Sequence, residues 1–497
     1  MKNSEELRQQ LRSINRKSYP AYKGLKGLYH FGNYILSIDH VQGDPFASPS
    51  HISIQISHRD AGFPVEYYKD TLTGTTLCDY LTRQFEKQVS QYSFRAKGSG
   101  KSGLLTVSHC GQEILSRTAC EITEKGITAR FFVGFPANGR TINATELEKI
   151  LFDFLPVCIQ KSFFYSSLNA KELQNYIELA EDQEFIRQTL PAKNLCAFIA
   201  DGSILPRESG ISSRPMKASV PFTSPDSLRI SINLPHKGKI TGMGIPKGIT
   251  LIVGGGYHGK STLLNALELG VYNHIPGDGR EYVITDATAV KLRSEDGRFI
   301  KDVDISMFIN DLPNKKDTRC FSTLDASGST SQAAGIVESM EAGSHLFLLD
   351  EDTSATNFMV RDAFMQQVIQ REKEPITPFL ERAEDLYKKA GISTILVAGS
   401  SGAFFHIADT IIQMDNYVPK DITASVKKLC SQYPLPAVSV TDFQLAHSHR
   451  IMSRPAESSK RLRHNSRGNH SDSGAAKPER LKTRISGTDG FSRQTGD

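Results

Sequence analysis

The stretch T-L-I-V-G-G-G-Y-H-G-K-S-T-L-L-N-A-L, residues 250–267, decides the fold of this chain. It fits the pattern G-x-x-x-x-G-K-[ST], whose fixed positions are here Gly254, Gly259, Lys260 and Ser261. An apolar strand over Ile249–Val253 precedes the glycines, and a helix from Lys260 to about Leu269 follows them. Glycines let backbone N–H groups curl towards phosphate oxygens, and the helix N-terminus adds its dipole. The sequence therefore predicts a phosphate-binding loop.

This loop predicts ATP and Mg²⁺ as cofactors. We expect Lys260 to reach the β- and γ-phosphates and the Ser261 hydroxyl to ligate Mg²⁺. The residues predicted to bind the nucleotide are Gly254, Gly255, Gly256, Tyr257, His258, Gly259, Lys260, Ser261 and Thr262.

A second motif carries two adjacent carboxylates. In S-H-L-F-L-L-D-E-D, residues 344–352, an apolar strand ends at Asp350 and Glu351. We expect this strand to lie beside the one that leads to the phosphate loop, with Asp350 holding Mg²⁺ through water. Glu351 would polarise the attacking water, so Glu351 and Lys260 are the predicted catalytic residues. The alternative is a buried strand that ends in solvated acids.

Between these motifs lies A-S-G-S-T-S-Q-A-A, residues 326–334, which resembles the signature of ABC ATPases. In that resemblance Ser327, Gly328 and Ser329 open a helix whose N-terminus caps the γ-phosphate held by another subunit. The alternative is a serine-rich helix cap with no ligand. A stretch shortly after Asp350 and Glu351 resembles the D-loop, which crosses the dimer interface. Its residues are Ser354, Ala355, Thr356 and Asn357.

The position of the switch histidine of transporter-type ABC domains carries serine in this sequence. The strand T-I-L-V-A-G-S-S-G, residues 394–402, places Ser400 or Ser401 there. The change predicts slow turnover or a γ-phosphate sensor of another kind.

Taken in order, these motifs resemble the family described as predicted ATPases of the ABC class. Further stretches resemble the sequences of this family; they are P-R-E-S-G-I-S-S-R-P-M (206–216), V-Y-N-H-I-P-G-D-G-R-E (271–281), L-D-E-D-T-S-A-T-N-F-M-V-R-D (349–362) and G-T-D-G (487–490). The resemblance implies an α/β P-loop NTPase core of the ABC-ATPase type with extra domains at both ends. It also implies a homodimer in which each chain completes the other's nucleotide site.

Composition shifts divide the chain into three predicted parts. Residues 1–205 mix helical and strand patterns and form an α+β domain; residues 206–440 form the ATPase core; residues 441–497 form a basic segment. In the first part we expect a strand at His51–Ser57, and helices at Leu77–Tyr92, at Ala144–Phe154 after an Asn143 cap, and at Leu168–Leu190, closed by Pro191.

The uneven distribution of basic residues along the chain indicates a polyanionic partner. The chain has a net charge of +5, yet residues 446–497 hold eleven Lys or Arg against five Asp or Glu. We expect RNA or DNA to bind this tail and the basic turn Arg95–Lys101, whose G-S-G-K-S stretch lacks the first glycine of a phosphate loop. The alternative is a solvated tail and an ordinary turn.

The seven scattered cysteines and the lack of a long apolar run predict a cytoplasmic chain with reduced thiols. Two alternatives to an ATPase coupled to nucleic acid stay open. One is a nucleotide-dependent binding switch with little hydrolysis, and the other is the ATPase module of a membrane-associated complex.

Overall fold

The computed structural model describes residues 1–361, 374–433 and 443, which fall into two compact units. Unit 1 comprises Met1–Pro246, Thr262–Ala287 and Asn416–Lys420. Unit 2 comprises Lys247–Ser261, Thr288–Asp415 and the described residues from Asp421 onward. Because the units interleave along the chain, the domain boundary expected near residue 205 stays a prediction. The basic tail lies outside the described residues, apart from Phe443.

The strands of the first half are β1 (Lys2–Asn3), β2 (Gly27–His30), β3 (Ile35–His40), β4 (Ser50–Ile56), β5 (Leu105–Thr106), β6 (Glu113–Ile114), β7 (Cys120–Thr123), β8 (Gly126–Val133), β9 (Ala137–Asn138), β10 (Thr141–Ile142), β11 (Leu195–Ala200), β12 (Arg229–Leu234) and β13 (Gly238–Pro246). Those of the second half are β14 (Ile249–Val253), β15 (Asn273–His274), β16 (Val283–Thr285), β17 (Val290–Leu292), β18 (Arg298–Val303), β19 (Phe321–Ala326), β20 (Leu346–Asp350), β21 (Ser393–Val397), β22 (Thr410–Asp415) and β23 (Val418–Asp421).

The described α-helices are α1 (Ser4–Ser13), α2 (His58–Ala61), α3 (Thr71–Tyr92), α4 (Ala144–Glu148), α5 (Leu155–Phe163), α6 (Ala170–Ala192), α7 (Lys260–Leu269), α8 (Gly328–Glu341), α9 (Thr356–Met359), α10 (Phe379–Ala390), α11 (Phe404–Ile407) and α12 (Thr423–Cys430). A π-helical segment, Lys149–Phe154, joins α4 to α5. Within the described part of the chain, no helix is both long enough and apolar enough to cross a membrane.

Unit 1 begins with a sheet in the order β1-β2-β3-β4-β8-β5, and β7 also pairs with β8. The expected strand near His51 is present as β4, where buried and exposed residues alternate through much of its length. The cap of α4 is also present, since the Asn143 side chain accepts a hydrogen bond from the Glu146 N–H at 3.3 Å. Helix α6 runs one residue past Pro191, to Ala192, because a proline in the last turn removes only one hydrogen bond.

A second sheet of unit 1 is antiparallel throughout, in the order β12-β13-β11-β16. Strand β16 follows the phosphate loop in the chain, yet it pairs with β11 in this antiparallel sheet. The hairpin formed by β18 and β19 in unit 2 is antiparallel as well. Alternation of strand and helix patterns reports the element types but not the direction of pairing.

Unit 2 holds the parallel sheet, with strands in the order β17-β20-β21-β14-β22. Its core gathers apolar side chains from the sheet and from helices α8 and α10, among them Leu251, Leu349, Leu396, Ile336 and Leu386. The expectation that β20 lies beside β14 is wrong, because β21 pairs with both and separates them. Consequently the end of β21 lies next to the acids at the end of β20.

A buried ion cluster in unit 1 unites two stretches that are far apart in sequence. The Asp278 carboxylate accepts hydrogen bonds from Arg207 Nη2 and from His274 Nδ1, each at 2.8 Å, and its side chain is fully buried. The other ring nitrogen of His274, Nε2, faces the Leu269 carbonyl oxygen at 3.1 Å. Burial by itself raises the pKa of Asp278, but His274 and Arg207 outweigh it, so that pKa lies below its ordinary value.

We predict that Asp278→Asn destabilises the protein by about 3–5 kcal/mol at pH 7, because it leaves the largely buried Arg207 guanidinium without its counter-charge. A carboxylate with a depressed folded pKa contributes stability above its unfolded pKa of about 4 and loses it as the pH falls through the folded value. The wild-type midpoint in urea should therefore approach that of the variant as the pH falls below about 4.

The matched control is Asp226→Asn, which removes an exposed ion pair with Arg229. Such pairs contribute about 0–1 kcal/mol, so the urea midpoint should hardly move. Equal midpoints for the two variants at pH 7 would mean that the buried cluster contributes no more than a surface pair.

Candidate nucleotide site

The phosphate loop lies between β14 and α7, as the sequence predicts, and its backbone is tightly curled. Gly254 and Gly259 have φ angles of +144° and +99°, which side-chain-bearing residues rarely adopt. A Cβ on Gly254 would lie 2.4 Å from the Met414 carbonyl oxygen, so any other residue there would clash with the backbone of β22. Glycine at 254 is therefore required both by conformation and by space.

The side chains of the loop differ in where they point. Lys260 donates from Nζ to the carbonyl oxygens of Gly254 and Gly255, at 2.7 and 2.9 Å, so its ammonium lies within the curve of the loop. Tyr257 has a left-handed φ of +64° and is 99% exposed. His258 Nδ1 lies 3.5 Å from an Asp415 carboxylate oxygen, a contact that the sequence analysis did not anticipate.

Asp350 is the last residue of β20, and its carboxylate is mostly buried. Its Oδ1 atom accepts a hydrogen bond from the Asp352 N–H at 3.2 Å. Burial raises the pKa of Asp350 above its ordinary value. Asp350 and the exposed Ser261 at the start of α7 carry oxygen atoms of the kind that could hold Mg²⁺.

Glu351 is bound by the residues that follow β21. Its Oε2 atom accepts hydrogen bonds from the Gly399 and Ser400 N–H groups at 2.8 and 3.0 Å. Its Oε1 atom accepts the Ser400 hydroxyl at 2.6 Å. Partial burial by itself raises the pKa of Glu351, but these hydrogen bonds outweigh it and the pKa lies below its ordinary value. Glu351 is thus an ionised acceptor at neutral pH.

Helix α8 begins as the signature resemblance implies. Ser327 is its N-cap, and its side chain accepts a hydrogen bond from the Thr330 N–H at 3.4 Å. Ser329 donates its hydroxyl to Asn357 Oδ1 at 2.8 Å. The start of α8 is therefore hydrogen-bonded to residues 354–357 of the same chain, the predicted D-loop.

Gln332 strengthens this tie, although the sequence analysis did not single it out. It is fully buried, its Oε1 accepts the Ala355 N–H at 2.9 Å, and its Nε2 donates to the Ser354 hydroxyl at 3.0 Å. Its signal in the sequence was its place five residues after Ser327, on the same helix as the predicted signature residues. Residues 327–332 and 354–357 thus form one hydrogen-bonded group.

Two family models match the chain. One, a P-loop domain of ABC ATPases, matches residues 169–449, and the other, the N-terminal part of ATPases of the ABC class, matches residues 4–166. The chain belongs to the ABC-class ATPase family. Its α/β P-loop core and separate N-terminal domain are those the sequence predicts. The roles of the single site residues stay predictions.

An uncharacterized protein of Methanocaldococcus jannaschii is 31% identical over 266 residues, which cover 51% of this chain. The chain spans 58% of the length of that relative. Among solved structures, the chain is similar to the ADP conformation of an ATP-binding cassette of an ABC transporter (13% identity, TM-score 0.26, covering 39% of this chain and 88% of that one). It is also similar to a putative metal-chelate-type ABC transporter (18%, 0.27, 42% and 90%).

Proposed function

We propose that the chain binds Mg·ATP at the loop 254–262 and hydrolyses it to ADP and phosphate. The observation that carries the proposal is the meeting of three segments at one sheet edge. Strands β14, β20 and β21 are parallel, so their carboxyl ends lie at the same edge. Three segments therefore lie at that edge: the phosphate loop, the acids at 350 and 351, and residues 399–400, which hydrogen-bond to Glu351.

In this proposal the loop N–H groups, Lys260 and the N-terminus of α7 bind the phosphates. Ser261 and Asp350 would hold Mg²⁺, which offsets negative charge on the phosphates when it is bound. The water oxygen bonds to the γ-phosphorus, the bond to the bridging oxygen breaks with its electron pair staying on ADP, and the water proton passes to Glu351. Ionised Glu351 has the charge state this step requires.

A homodimer is part of the proposal. Ser327 and Gly328 open a capped helix of fourteen residues, long enough to direct a dipole at a phosphate. In a dimer this N-terminus would face the γ-phosphate bound by the partner. Ser329 and Gln332 hydrogen-bond to the D-loop, which is expected at the interface. Through these bonds, binding of the partner's γ-phosphate at the helix start would affect the position of the D-loop.

The test is release of inorganic phosphate from Mg·ATP by the purified full-length chain. A protein that binds ATP and forms dimers but releases no phosphate would instead be a nucleotide-dependent switch. Phosphate release that appears only with membrane extract would favour the module of a membrane-associated complex.

A second candidate function is binding of single-stranded nucleic acid at the turn Arg95–Lys101. Within this turn the three cations Arg95, Lys97 and Lys101 are all exposed. Two aromatic rings beside them are exposed as well, Phe46 at 61% and Phe94 at 52%. Gly100 packs closely on Pro45 and Phe46, which fixes the turn against one of the rings. Cations next to exposed rings are what phosphates and stacked bases require.

We predict that replacing Arg95, Lys97 and Lys101 together by alanine weakens binding of a labelled 20-mer of RNA or DNA. Each phosphate contact contributes about 0.7 to the slope of log affinity against log salt for single strands, so the slope should fall by about 2. Fluorescence anisotropy at several salt concentrations measures it.

The comparison is a tail variant in which Lys460, Arg461 and Arg463 are alanine. If only the tail variant loses affinity, the contact belongs to the basic tail; if neither does, the nucleic-acid proposal fails.

A further inference from the structure

The serine after β21 has a specific partner. Ser400 donates two hydrogen bonds to Glu351, one from its hydroxyl at 2.6 Å and one from its N–H at 3.0 Å. The two residues are 49 positions apart in the chain, so the contact depends on the pairing of β20 with β21.

The segment that carries Ser400 is hydrogen-bonded on both sides. The Ala398 N–H donates to the Ile252 carbonyl oxygen at 3.0 Å, which continues the pairing of β21 with β14 beyond Val397. On the other side, the Gly399 N–H donates to Glu351 at 2.8 Å. Ser400 is thus fixed between the strand that leads to the phosphate loop and the strand that carries the acids.

The hydrogen bonds also fix the orientation of the Glu351 carboxylate. The Gly399 and Ser400 N–H groups donate to Oε2, and the Ser400 hydroxyl donates to Oε1. The Ser401 N–H donates to the same carboxylate. A carboxylate has about four lone-pair positions, so this set of donors restricts how the group can turn.

We propose that Ser400 is a positioning residue of the hydrolytic site: its hydroxyl and N–H hold the Glu351 carboxylate in the orientation in which it acts on the attacking water. The inference rests on the proposed ATP hydrolysis. It gives the serine at the switch position a task performed through Glu351 and not through contact with the nucleotide. Ser401, the other candidate for that position, is not assigned this task.

The kinetic test compares Ser400→Ala with Ser400→Thr in the full-length chain. Loss of the hydroxyl should lower kcat about tenfold and leave KM for ATP unchanged within about twofold, because ground-state binding does not use Glu351. Threonine retains the hydroxyl and should restore most of kcat. Equal kcat for Ser400→Ala and wild type, or a loss confined to KM, would overturn the assignment.

A double-mutant cycle tests whether Ser400 acts through Glu351. In a Glu351→Ala background, Ser400→Ala should cause no further loss of turnover, since the group it positions is gone. A further tenfold loss would mean that Ser400 acts on the nucleotide itself and would overturn the proposal.

Hydrogen exchange tests the contact without any need for turnover. In the nucleotide-free chain, Glu351→Ala should speed amide exchange at Gly399 and Ser400 at least severalfold, because both N–H groups lose their acceptor. The matched control Asp352→Ala removes the neighbouring carboxylate and should leave both amides as in wild type. Unchanged exchange in Glu351→Ala would overturn the inference. Faster exchange in a protein that never releases phosphate would instead confirm the contact and overturn the proposed hydrolysis.

Discussion

Lys260→Ala should lower ATP turnover by about 10²–10³-fold. The Lys260 ammonium lies within the phosphate loop, where it donates to the Gly254 and Gly255 carbonyl oxygens. The phosphates of a bound nucleotide would replace these neutral acceptors with charged ones, and alanine removes the cation that stabilises charge on the γ-phosphate in the transition state. Steady-state phosphate release at saturating Mg·ATP measures the loss.

The control for Lys260→Ala is Lys388→Ala, which removes an exposed lysine paired with Glu384 on α10. Its turnover should equal that of wild type, which shows that loss of one positive charge is not the cause. Turnover by Lys260→Ala within twofold of wild type would remove the loop 254–262 from the reaction.

Glu351→Gln should lower turnover by about 10²–10⁴-fold and trap a dimer in the presence of ATP. The amide fits the same contacts: its oxygen can accept the Gly399 and Ser400 N–H groups, and its NH₂ can donate to the Ser400 hydroxyl. It cannot take a proton from water, so the nucleotide stays intact between the two chains. Size-exclusion chromatography with light scattering at micromolar protein measures the mass.

Two variants make the dimer result specific. Asp352→Asn changes the next acid along the chain and should hydrolyse ATP as wild type does. Ser327→Arg, combined with Glu351→Gln, should keep the protein monomeric, because the arginine side chain fills the space of the partner's γ-phosphate. A monomeric ATP-loaded Glu351→Gln protein would argue against assembly through the signature helix.

Local sequence was sufficient to predict the parts of the site that depend on local physics. Strand β14 and helix α7 have the expected bounds because the apolar run and the glycine-rich turn determine them without help from distant residues. Ser327 caps α8 for the same kind of reason, since a cap interacts with N–H groups two or three residues away.

Contacts between distant segments could not be predicted. The order of strands in the sheet follows from packing of whole elements, so the insertion of β21 between β14 and β20 has no local signal. The hydrogen bonds from Ser400 to Glu351 depend on that strand order, because it places the end of β21 beside the end of β20. The cluster of Arg207, His274 and Asp278 could not be predicted either, because its members come from two stretches that are far apart in sequence.

Glu351 is proposed to act on a water at a nucleotide bound to the loop 254–262. The most direct measurement is phosphate release from Mg·ATP by the full-length wild-type chain, side by side with Glu351→Gln under the same conditions. We expect wild type to release phosphate at least about 100-fold faster than the variant. Equal rates for the two proteins would contradict it.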